Sequence, residues 1–290
     1  MSLKGYYLVS RPLNSFYSGF AVLIGAIAAI SNPLTEIQII NIFLGYLTTA
    51  FIAAGGYAIN DAYDVEIDKI NMPHRAIPSG LITPKQAMIY AVILYMLGIL
   101  MALIIDILAC IIAGIGAFLL FLYAAYFKRT GFVGNLLVSI LTAIPFIFGG
   151  IITESYETLI YPALFAFLLI LGREVIKDIE DVRGDKLENV QSLALRYGVK
   201  PARNMAILTL LLLVLLVPIP VILGYYKTPF FFGTLLLIGL GLFYTIFLLL
   251  RRTDEEIIKN TTSAKRILKS CIGIGILGFV LEGLTKILYL

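Results

Sequence analysis

This chain of 290 residues has little charge, two cysteines, one histidine and no tryptophan. Charged residues make up 14% of the sequence, whereas soluble domains carry about 25%. Cys110 and Cys271 lie in apolar stretches and are interpreted as small core residues. His74 is interpreted as a loop residue, because no Cys or His spacing typical of a zinc site surrounds it. These shortages argue against a soluble enzyme, a disulfide scaffold and a zinc domain.

Apolar residues are abundant instead. The chain is 60% hydrophobic, with a mean hydropathy of +0.97, which predicts an all-α, polytopic membrane protein. A hydrocarbon core about 30 Å thick takes about 20 apolar residues per helix. On that basis we predict nine spans, near residues 13–30, 37–59, 86–105, 107–127, 133–152, 158–176, 204–224, 229–250 and 270–289.

The basic residues indicate the orientation. All of the 22 except Lys227 and Lys286 fall on one side of the predicted spans. Since Lys and Arg collect in cytoplasmic loops, that side is expected to face the cytoplasm. We therefore expect a multi-pass protein of the cell membrane, and we read the net charge of +4 as a sign of topology and not of nucleic-acid binding.

Two stretches share one pattern of acids on this cytoplasmic side. They comprise Asp61, Asp64 and Asp68 in the first stretch and Asp178, Asp181 and Asp185 in the second. Spacings of three and four residues place the carboxylates of each copy on one helical face. Such carboxylates repel one another unless a cation or a proton relieves them. In a membrane protein, a cluster of this kind indicates a functional site.

The two motifs begin four predicted spans apart, so both copies have the same orientation. This spacing predicts a parallel duplication of spans 1–4 and 5–8, with span 9 added, within a single membrane domain of residues 1–290. The loops at 60–84 and 177–201 are long for helix hairpins and rich in polar residues. Long loops in compact domains are often functional, and we expect these two to cap a polar cavity on the cytoplasmic side.

The acids suit Mg²⁺, which commonly bridges one or two carboxylates to the phosphates of a substrate. Two facing clusters could hold several ions around a diphosphate and neutralise it as a leaving group. Asn60, one turn before Asp64, could add a ligand. An apolar chain on the diphosphate would lie among the spans. Nearby cations that could assist are Arg75, Lys128, Arg129, Lys177 and Arg196.

These residues resemble the signatures of the UbiA family of intramembrane prenyltransferases. The first signature is similar to Asn60-Asp61-x-x-Asp64-x-x-x-Asp68 followed by Asn71-x-Pro-x-Arg75, and the second to Asp178-x-x-Asp181-x-x-x-Asp185. Further similar segments are Arg11-Pro-x-Asn14, Tyr123-x-x-Tyr126-x-Lys128-Arg129 and Leu193-Ala-Leu-Arg196-Tyr-Gly198. The resemblance implies about nine helices around a central cavity. It also implies Mg²⁺-dependent transfer of a prenyl group from an isoprenyl diphosphate to a lipid-like acceptor.

The resemblance implies a set of site residues as well. The expected metal ligands are Asn60, Asp64, Asp68, Asp178, Asp181 and Asp185, and these five aspartates are the expected catalytic residues. The expected substrate contacts are Arg11, Asn14, Asn60, Asp61, Arg75, Tyr123, Tyr126, Lys128, Arg129, Lys177 and Arg196. Tyr57, Tyr123 and Tyr126 are candidates to shield an allylic cation from water.

Within the family, the chain is most similar to an archaeal group that makes ether lipids. That similarity implies transfer of geranylgeranyl to the hydroxyl of geranylgeranylglyceryl phosphate. An aromatic acceptor stays open as an alternative, although Asp181 stands where members with aromatic acceptors often have Tyr. A cation-coupled transporter and a lipid-binding scaffold also stay open. The transporter is disfavoured because the acids lie at span ends, Asp106 lies on the opposite face and Glu282 looks isolated.

Overall fold

The computed structural model describes residues 2–30, 33–154, 156–182 and 191–289. Every regular element in these ranges is helical. We number the α-helices in chain order. They are α1 Leu3–Val9, α2 Pro12–Ala29, α3 Glu36–Tyr63, α4 Val65–Asn71, α5 Pro84–Ile105, α6 Ile107–Leu122, α7 Phe132–Ile152, α8 Ile160–Glu180, α9 Leu193–Tyr197, α10 Val199–Leu216, α11 Ile219–Ile222, α12 Pro229–Leu249 and α13 Asp254–Tyr289.

Each of the nine predicted spans coincides with a long helix of the described chain, which confirms the all-α prediction. Eight of these helices are long and apolar enough to cross a membrane. The ninth, α8, has a comparable length of 21 residues. It differs from the other eight in composition, because charged side chains, beginning with Arg173 and Glu174, occupy its last two turns.

Helix starts follow local capping chemistry. The Thr35 hydroxyl accepts a hydrogen bond from Gln38 N at 3.2 Å, and the Gln38 side chain accepts one from Thr35 N at 3.0 Å. Thr83 and Gln86 repeat this capping box at the start of α5. The box satisfies backbone N–H groups that have no partner within the first turn. Short polar signals therefore fix where long apolar helices begin.

A single residue connects α5 to α6. Asp106 ends α5 and caps α6, and its Oδ1 accepts a hydrogen bond from Ala109 N at 2.6 Å. The sequence-based division into spans 86–105 and 107–127 agrees with this hairpin to within two residues. Beyond α6, Tyr123–Phe127 forms a π-helical turn. Such turns occur often at functional sites, and this one contains two of the predicted site tyrosines.

One prediction needs correction at the C-terminal end. Residues 254–269 were expected as a loop before span 9, but they form the first part of α13, which has 36 residues. At 1.5 Å per residue such a helix is about 54 Å long, well beyond a 30 Å hydrocarbon core. Thr253 and Glu256 form a capping box, and acids in the first turn stabilise the positive end of the helix dipole. This segment is therefore helical although it is polar.

The chain divides into two compact units. The first comprises Met1–Ala26, Leu34–Tyr126 and Ile144–Glu154. In it, α3 packs along α5, and a core that includes Ala58, Ala87 and Ala91 lies under the loop after α4. Small side chains along this contact let the two helices approach closely.

The second unit comprises Ile27–Pro33, Phe127–Ala143 and Ser155–Leu290. In it, α8 packs against α10 and α13, and α12 packs along α13. Its core includes the fully buried Ile176, Leu210, Leu242 and Leu268. The prediction of one domain with an internal duplication stays a prediction.

Glu282 was expected to be isolated, and this was wrong. Its side chain lies in α13, is 2% exposed and accepts hydrogen bonds from Lys227 N at 3.0 Å, Thr228 N at 3.1 Å and Thr228 Oγ1 at 2.5 Å. It therefore satisfies backbone donors at the start of α12. Tyr226, in the same loop, is buried, and this burial raises the pKa of its hydroxyl. The neutral hydroxyl donates a hydrogen bond to Ala28 O at 3.3 Å.

We expect Glu282→Ala to destabilise the protein, because it leaves buried donors of the Lys227–Thr228 loop without an acceptor. Two unsatisfied N–H groups cost about 3 kcal/mol together. The apparent melting temperature in detergent should fall by several degrees. Glu282→Gln keeps one side-chain acceptor and should lose less. Equal melting temperatures for Glu282→Ala and the unchanged protein would contradict this assignment.

Candidate active site

The first acidic motif lies where α3 gives way to α4. Asp64 joins the two helices with φ −90° and ψ 7°. The i to i−4 hydrogen bonds nevertheless continue, from Asp64 N to Asn60 O at 3.0 Å and from Asp68 N to Asp64 O at 2.8 Å. Asp61, Asp64 and Asp68 are 3%, 6% and 5% exposed. Three buried carboxylates thus follow one another across a bent helix end, in agreement with the predicted common face.

Arg75 is the main counterion of this motif. Its Nη1 lies 2.7 Å from Asp68 Oδ2, 2.9 Å from Asp68 Oδ1 and 3.4 Å from Asp61 Oδ1. The loop that carries it is anchored, because the neighbouring Ala76 and Ile77 belong to a buried core. Hydrogen bonds of this kind to an ionised partner are stronger than neutral ones. The structure places Arg75 beside the acids, and its predicted contact with substrate stays a prediction.

Arg11, 50 positions before Asp61 in the chain, contacts the same motif. Its Nη2 lies 2.5 Å from Asp61 Oδ1, and its guanidinium lies 5.1 Å from the centre of the Tyr57 ring. Arg11, which precedes Pro12, has a backbone φ of 44°. Residues other than glycine rarely adopt such a positive φ. Strain of about 1–3 kcal/mol at such a residue persists only where surrounding contacts hold it. The α1–α2 junction therefore holds this guanidinium beside Asp61.

Two other residues predicted for this part of the site differ in environment. The Oδ1 atom of Asn60 is buried and has no hydrogen-bond partner among the described atoms. It lies one helical turn before Asp64. Asn14 is exposed in the first turn of α2 and makes no hydrogen bond to the described acids. The structure therefore places Asn60 with the motif and leaves the substrate contact of Asn14 as a prediction.

The second acidic motif is at the end of α8, in the second unit. Asp178 Oδ2 accepts a hydrogen bond from Asn135 Nδ2 of α7 at 2.8 Å. Asp181 ends the helix and is exposed. Asp185, the third predicted acid, lies outside the described residues. Sequence reasoning missed Asn135, although an amide in the first turn of an apolar predicted span was a signal for it.

Among the other predicted contacts are two tyrosines in the π-helical turn, the two cations that follow this turn and an arginine in α9. Tyr126 is 67% exposed and Tyr123 is half-buried. Lys128 and Arg129 follow them and are exposed. Arg196, in α9, is also exposed and lies 5.3 Å from the centre of the Tyr197 ring. Exposure leaves these cations accessible to an anionic substrate.

The backbone beyond these cations is tightly packed. Arg129 O accepts a hydrogen bond from Gln191 N at 3.1 Å. Gly131 has φ 64°, and a Cβ added there would lie 2.0 Å from Gln191 O. Only glycine fits both the left-handed backbone and this approach. Gly131 therefore fixes the segment between the two exposed cations and α7.

The described residues contain no group of three His, Cys, Asp or Glu side chains that could hold a metal ion by themselves. Mg²⁺ does not need such a group, since it usually binds one or two carboxylates and takes its other ligands from water and phosphates. The unpartnered Asn60 Oδ1 next to the buried Asp64 fits this pattern. Asp68, in the same motif, lies within ion-pair distance of Arg75.

The protein combines long apolar helices with two aspartate motifs and neighbouring cations. These features are typical of a membrane-embedded enzyme that binds an anionic substrate with an apolar chain. The sequence model of the UbiA prenyltransferase family matches residues 9–267 of this chain. The protein therefore belongs to the UbiA prenyltransferase family, and the transporter and scaffold alternatives are not retained.

Its relatives narrow the assignment. The chain is 38% identical to a digeranylgeranylglyceryl phosphate synthase of Saccharolobus solfataricus, over 98% of both chains. It is 34% identical to a protein of the same name from Methanocaldococcus jannaschii, over 96% of this chain and 95% of that one.

Solved structures agree with the fold. A structure described as digeranylgeranylglyceryl phosphate synthase in membranes has a TM-score of 0.87 and 32% identity, with 98% of this chain and 99% of that chain covered. A UbiA homologue from Archaeoglobus fulgidus bound to DMAPP and Mg²⁺ has a TM-score of 0.77 and 20% identity, with 99% of this chain and 100% of that chain covered.

We expect Arg75→Gln to lower stability, because it leaves the buried carboxylates of Asp61 and Asp68 with less positive charge. Removing one partner of a buried ion pair costs a few kcal/mol. Since Arg75 is partly exposed and Arg11 remains, we expect about 2 kcal/mol, read as a lower melting temperature in detergent.

Lys69→Gln is the matched control. Lys69 pairs with Glu66 in the same segment, but both side chains are exposed, at 53% and 83%. Exposed ion pairs contribute little, so this variant should melt like the unchanged protein. Equal losses in the two variants would refute the role given to Arg75.

Proposed function

We propose that this protein transfers a geranylgeranyl group from geranylgeranyl diphosphate to the free glycerol hydroxyl of geranylgeranylglyceryl phosphate. The product is digeranylgeranylglyceryl phosphate, an ether lipid precursor. The observation that carries this proposal is the match of 38% over 98% of both chains to a digeranylgeranylglyceryl phosphate synthase. The buried acids and their arginines are consistent with it, since a diphosphate needs both metal and cationic partners.

We further propose which residues would hold Mg²⁺. Asn60 and Asp64 in the first motif, and Asp178 and Asp181 in the second, offer oxygen ligands of the type that Mg²⁺ prefers. Bound Mg²⁺ would supply charge neutralisation of the leaving diphosphate. Asp68, which Arg75 contacts, and Asp185, which lies outside the described residues, stay predicted ligands. That both motifs serve one diphosphate also stays a prediction.

The arginines of the first motif would contribute to binding the diphosphate. Arg11 and Arg75 are each about 30% exposed at the side chain, whereas the acids they contact are nearly buried. Each arginine side chain is therefore partly accessible to a ligand, although it is paired with an acid. An arriving diphosphate would meet positive charge whose position Asp61 and Asp68 already fix. Fixed donors of this kind favour the charge that develops on the leaving group.

In the proposed reaction, the bond between the prenyl C1 atom and the diphosphate oxygen breaks, and its electron pair stays on the diphosphate. The glycerol oxygen then bonds to C1, and its proton passes to an oxygen of the diphosphate or of a motif carboxylate. The allylic cation must be kept from water, which would convert it to an alcohol. Tyr57 and Tyr123 are the aromatic side chains proposed to shield it.

We also propose that this chemistry occurs at the cytoplasmic face of the cell membrane. Both motifs lie at helix ends on the side where nearly all basic residues occur, and such residues mark the cytoplasmic side. The charged head groups of both substrates would then arrive from the cytoplasm, and their chains would remain among apolar helices.

The direct test incubates purified protein with Mg²⁺ and labelled geranylgeranyl diphosphate, with and without geranylgeranylglyceryl phosphate. We expect the diether phosphate, detected by mass spectrometry, only when acceptor and Mg²⁺ are both present. A chelator should stop product formation, and added Mg²⁺ should restore it. Consumption of the diphosphate with an aromatic acceptor but not with the glyceryl phosphate would refute the proposed acceptor.

Replacing a motif acid should stop transfer without unfolding the protein. We expect Asp64→Asn and Asp178→Asn each to lower kcat at least about 100-fold, since removing a group that stabilises leaving-group charge has effects of this size. Glu255→Gln, an exposed acid in the first turn of α13, is the control and should keep full activity. Normal turnover in Asp64→Asn or Asp178→Asn would overturn the metal assignment.

A further inference from the structure

The last two turns of α8 carry charged side chains that the proposed metal site does not use, beside the acids that it does use. At 100° per residue, Glu174, Asp178 and Asp181 fall on one stripe of the helix, and Arg173 and Lys177 fall on the stripe beside it. Charges inside a membrane helix are costly and usually functional. Two acids of the first stripe, Asp178 and Asp181, are proposed Mg²⁺ ligands. On the basic stripe, only Lys177 has a predicted role, as a substrate contact.

A third cation joins the basic stripe from α13. Lys265 forms an ion pair with Glu180 Oε2, and Thr262 Oγ1 donates a hydrogen bond to Glu180 Oε1 at 2.5 Å. Glu180 therefore holds Lys265 at a fixed place beside α8. Lys265 is 23% exposed, so it is not a cation that simply extends into water.

Glu174 holds the other two cations. Its Oε1 lies 2.5 Å from Arg173 Nη1, and its Oε2 lies 4.0 Å from Lys177 Nζ. The Glu174 side chain is 16% exposed, whereas that of Lys177 is 50% exposed. Arg173 is thus firmly paired, and Lys177 is at the limit of an ion pair with a free outer face.

The three cations of this cluster share two glutamates. Arg173 and Lys177 both lie beside Glu174, Lys265 pairs with Glu180, and Lys177 keeps the most exposed side chain of the three. Arg173 and Lys177 also repel Lys265. A doubly charged anion placed among the three cations would relieve this repulsion, as an opposite charge stabilises like charges brought close together.

From these contacts we infer that Arg173, Lys177 and Lys265 bind the phosphate monoester of the acceptor lipid. This inference rests on the proposed function, because it supposes a phosphorylated glycerol acceptor. In that acceptor the phosphate and the reacting hydroxyl are on adjacent carbons. Lys177 directly precedes Asp178 in α8, so a phosphate bound at Lys177 places the hydroxyl close to the second acidic motif. Glu174, Glu180 and Thr262 act as positioning residues for the three cations.

The inference explains why these cations are on helices and held by glutamates. A cation that only anchors a helix at the membrane surface needs no fixed partner, because lipid head groups and water surround it. Recognition of a phosphate monoester, in contrast, needs donors in fixed positions. Arg173 and Lys265 have such positions, and Lys177 supplies a donor that is free to turn towards the ligand.

The test compares two acceptors, geranylgeranylglyceryl phosphate and the same lipid without its phosphate. For Arg173→Gln and Lys265→Gln we expect the KM for the phosphorylated acceptor to rise about tenfold or more, as for loss of a charge-assisted hydrogen bond. The KM for geranylgeranyl diphosphate and the kinetics with the dephosphorylated acceptor should stay within about twofold of the unchanged protein. Inorganic phosphate should compete with the acceptor in the unchanged protein and less so in the variants.

Two further variants separate binding from structure. Lys265→Arg keeps the charge and the pair with Glu180 and should restore most of the affinity. Arg266→Gln removes the neighbouring exposed cation of α13 and should change neither acceptor's KM. Melting temperatures in detergent identify any variant that fails to fold, and Lys177→Gln then provides a third variant from the same cluster.

Several outcomes would overturn the inference. One is an equal rise in KM for both acceptors, which would indicate a structural effect. Another is a change only in the dependence of activity on anionic lipid in vesicles of phosphatidylglycerol and phosphatidylcholine, which would assign the cations to lipid head groups. If the unchanged protein uses geranylgeranyl diphosphate but does not prefer the phosphorylated acceptor, this inference fails alone. If it transfers no prenyl group to either acceptor, the proposed function fails with it.

Discussion

A carboxylate that is removed from water needs a positive partner or a hydrogen-bond donor, and this requirement governs the candidate site. Asp61 and Asp68 are nearly buried, and the guanidinium groups of Arg75 and Arg11 provide their positive partners. Those contacts require that the loop after α4 be anchored and that Arg11 adopt a strained backbone. The buried core beneath the loop thus determines the electrostatics of the motif above it.

The two motifs share a spacing but not an environment. The acids of the first are buried, and two of them, Asp61 and Asp68, are paired with guanidinium groups. Asp178, in the second, accepts a hydrogen bond from a neutral amide, and Asp181 is exposed. The same spacing of acids therefore occurs both in a buried segment and at a partly exposed helix end.

Helix α13 contributes partners to the charged end of α8, next to the second motif. Sequence reasoning treated its polar first half as a loop with basic anchors, and its helical continuation changes this view. Because α13 packs against α8, Thr262 and Lys265 both contact Glu180. Thr262 is 82 positions from Glu180 in the chain. The unusual charge of α8, which sets it apart from the other long helices, thus has partners that a membrane anchor would not need.

The sequence alone determined the helical architecture, the existence of each long helix and the location of both acidic motifs, although it placed the start of α13 sixteen residues too late. These features depend on hydropathy, capping residues and short spacings, which act between near neighbours in the chain. The tertiary structure decided which cation meets which carboxylate, that Asn135 binds Asp178 from 43 residues away, and that Lys265 belongs with Glu180. Such pairs depend on how distant helices pack, and no local pattern encodes that packing.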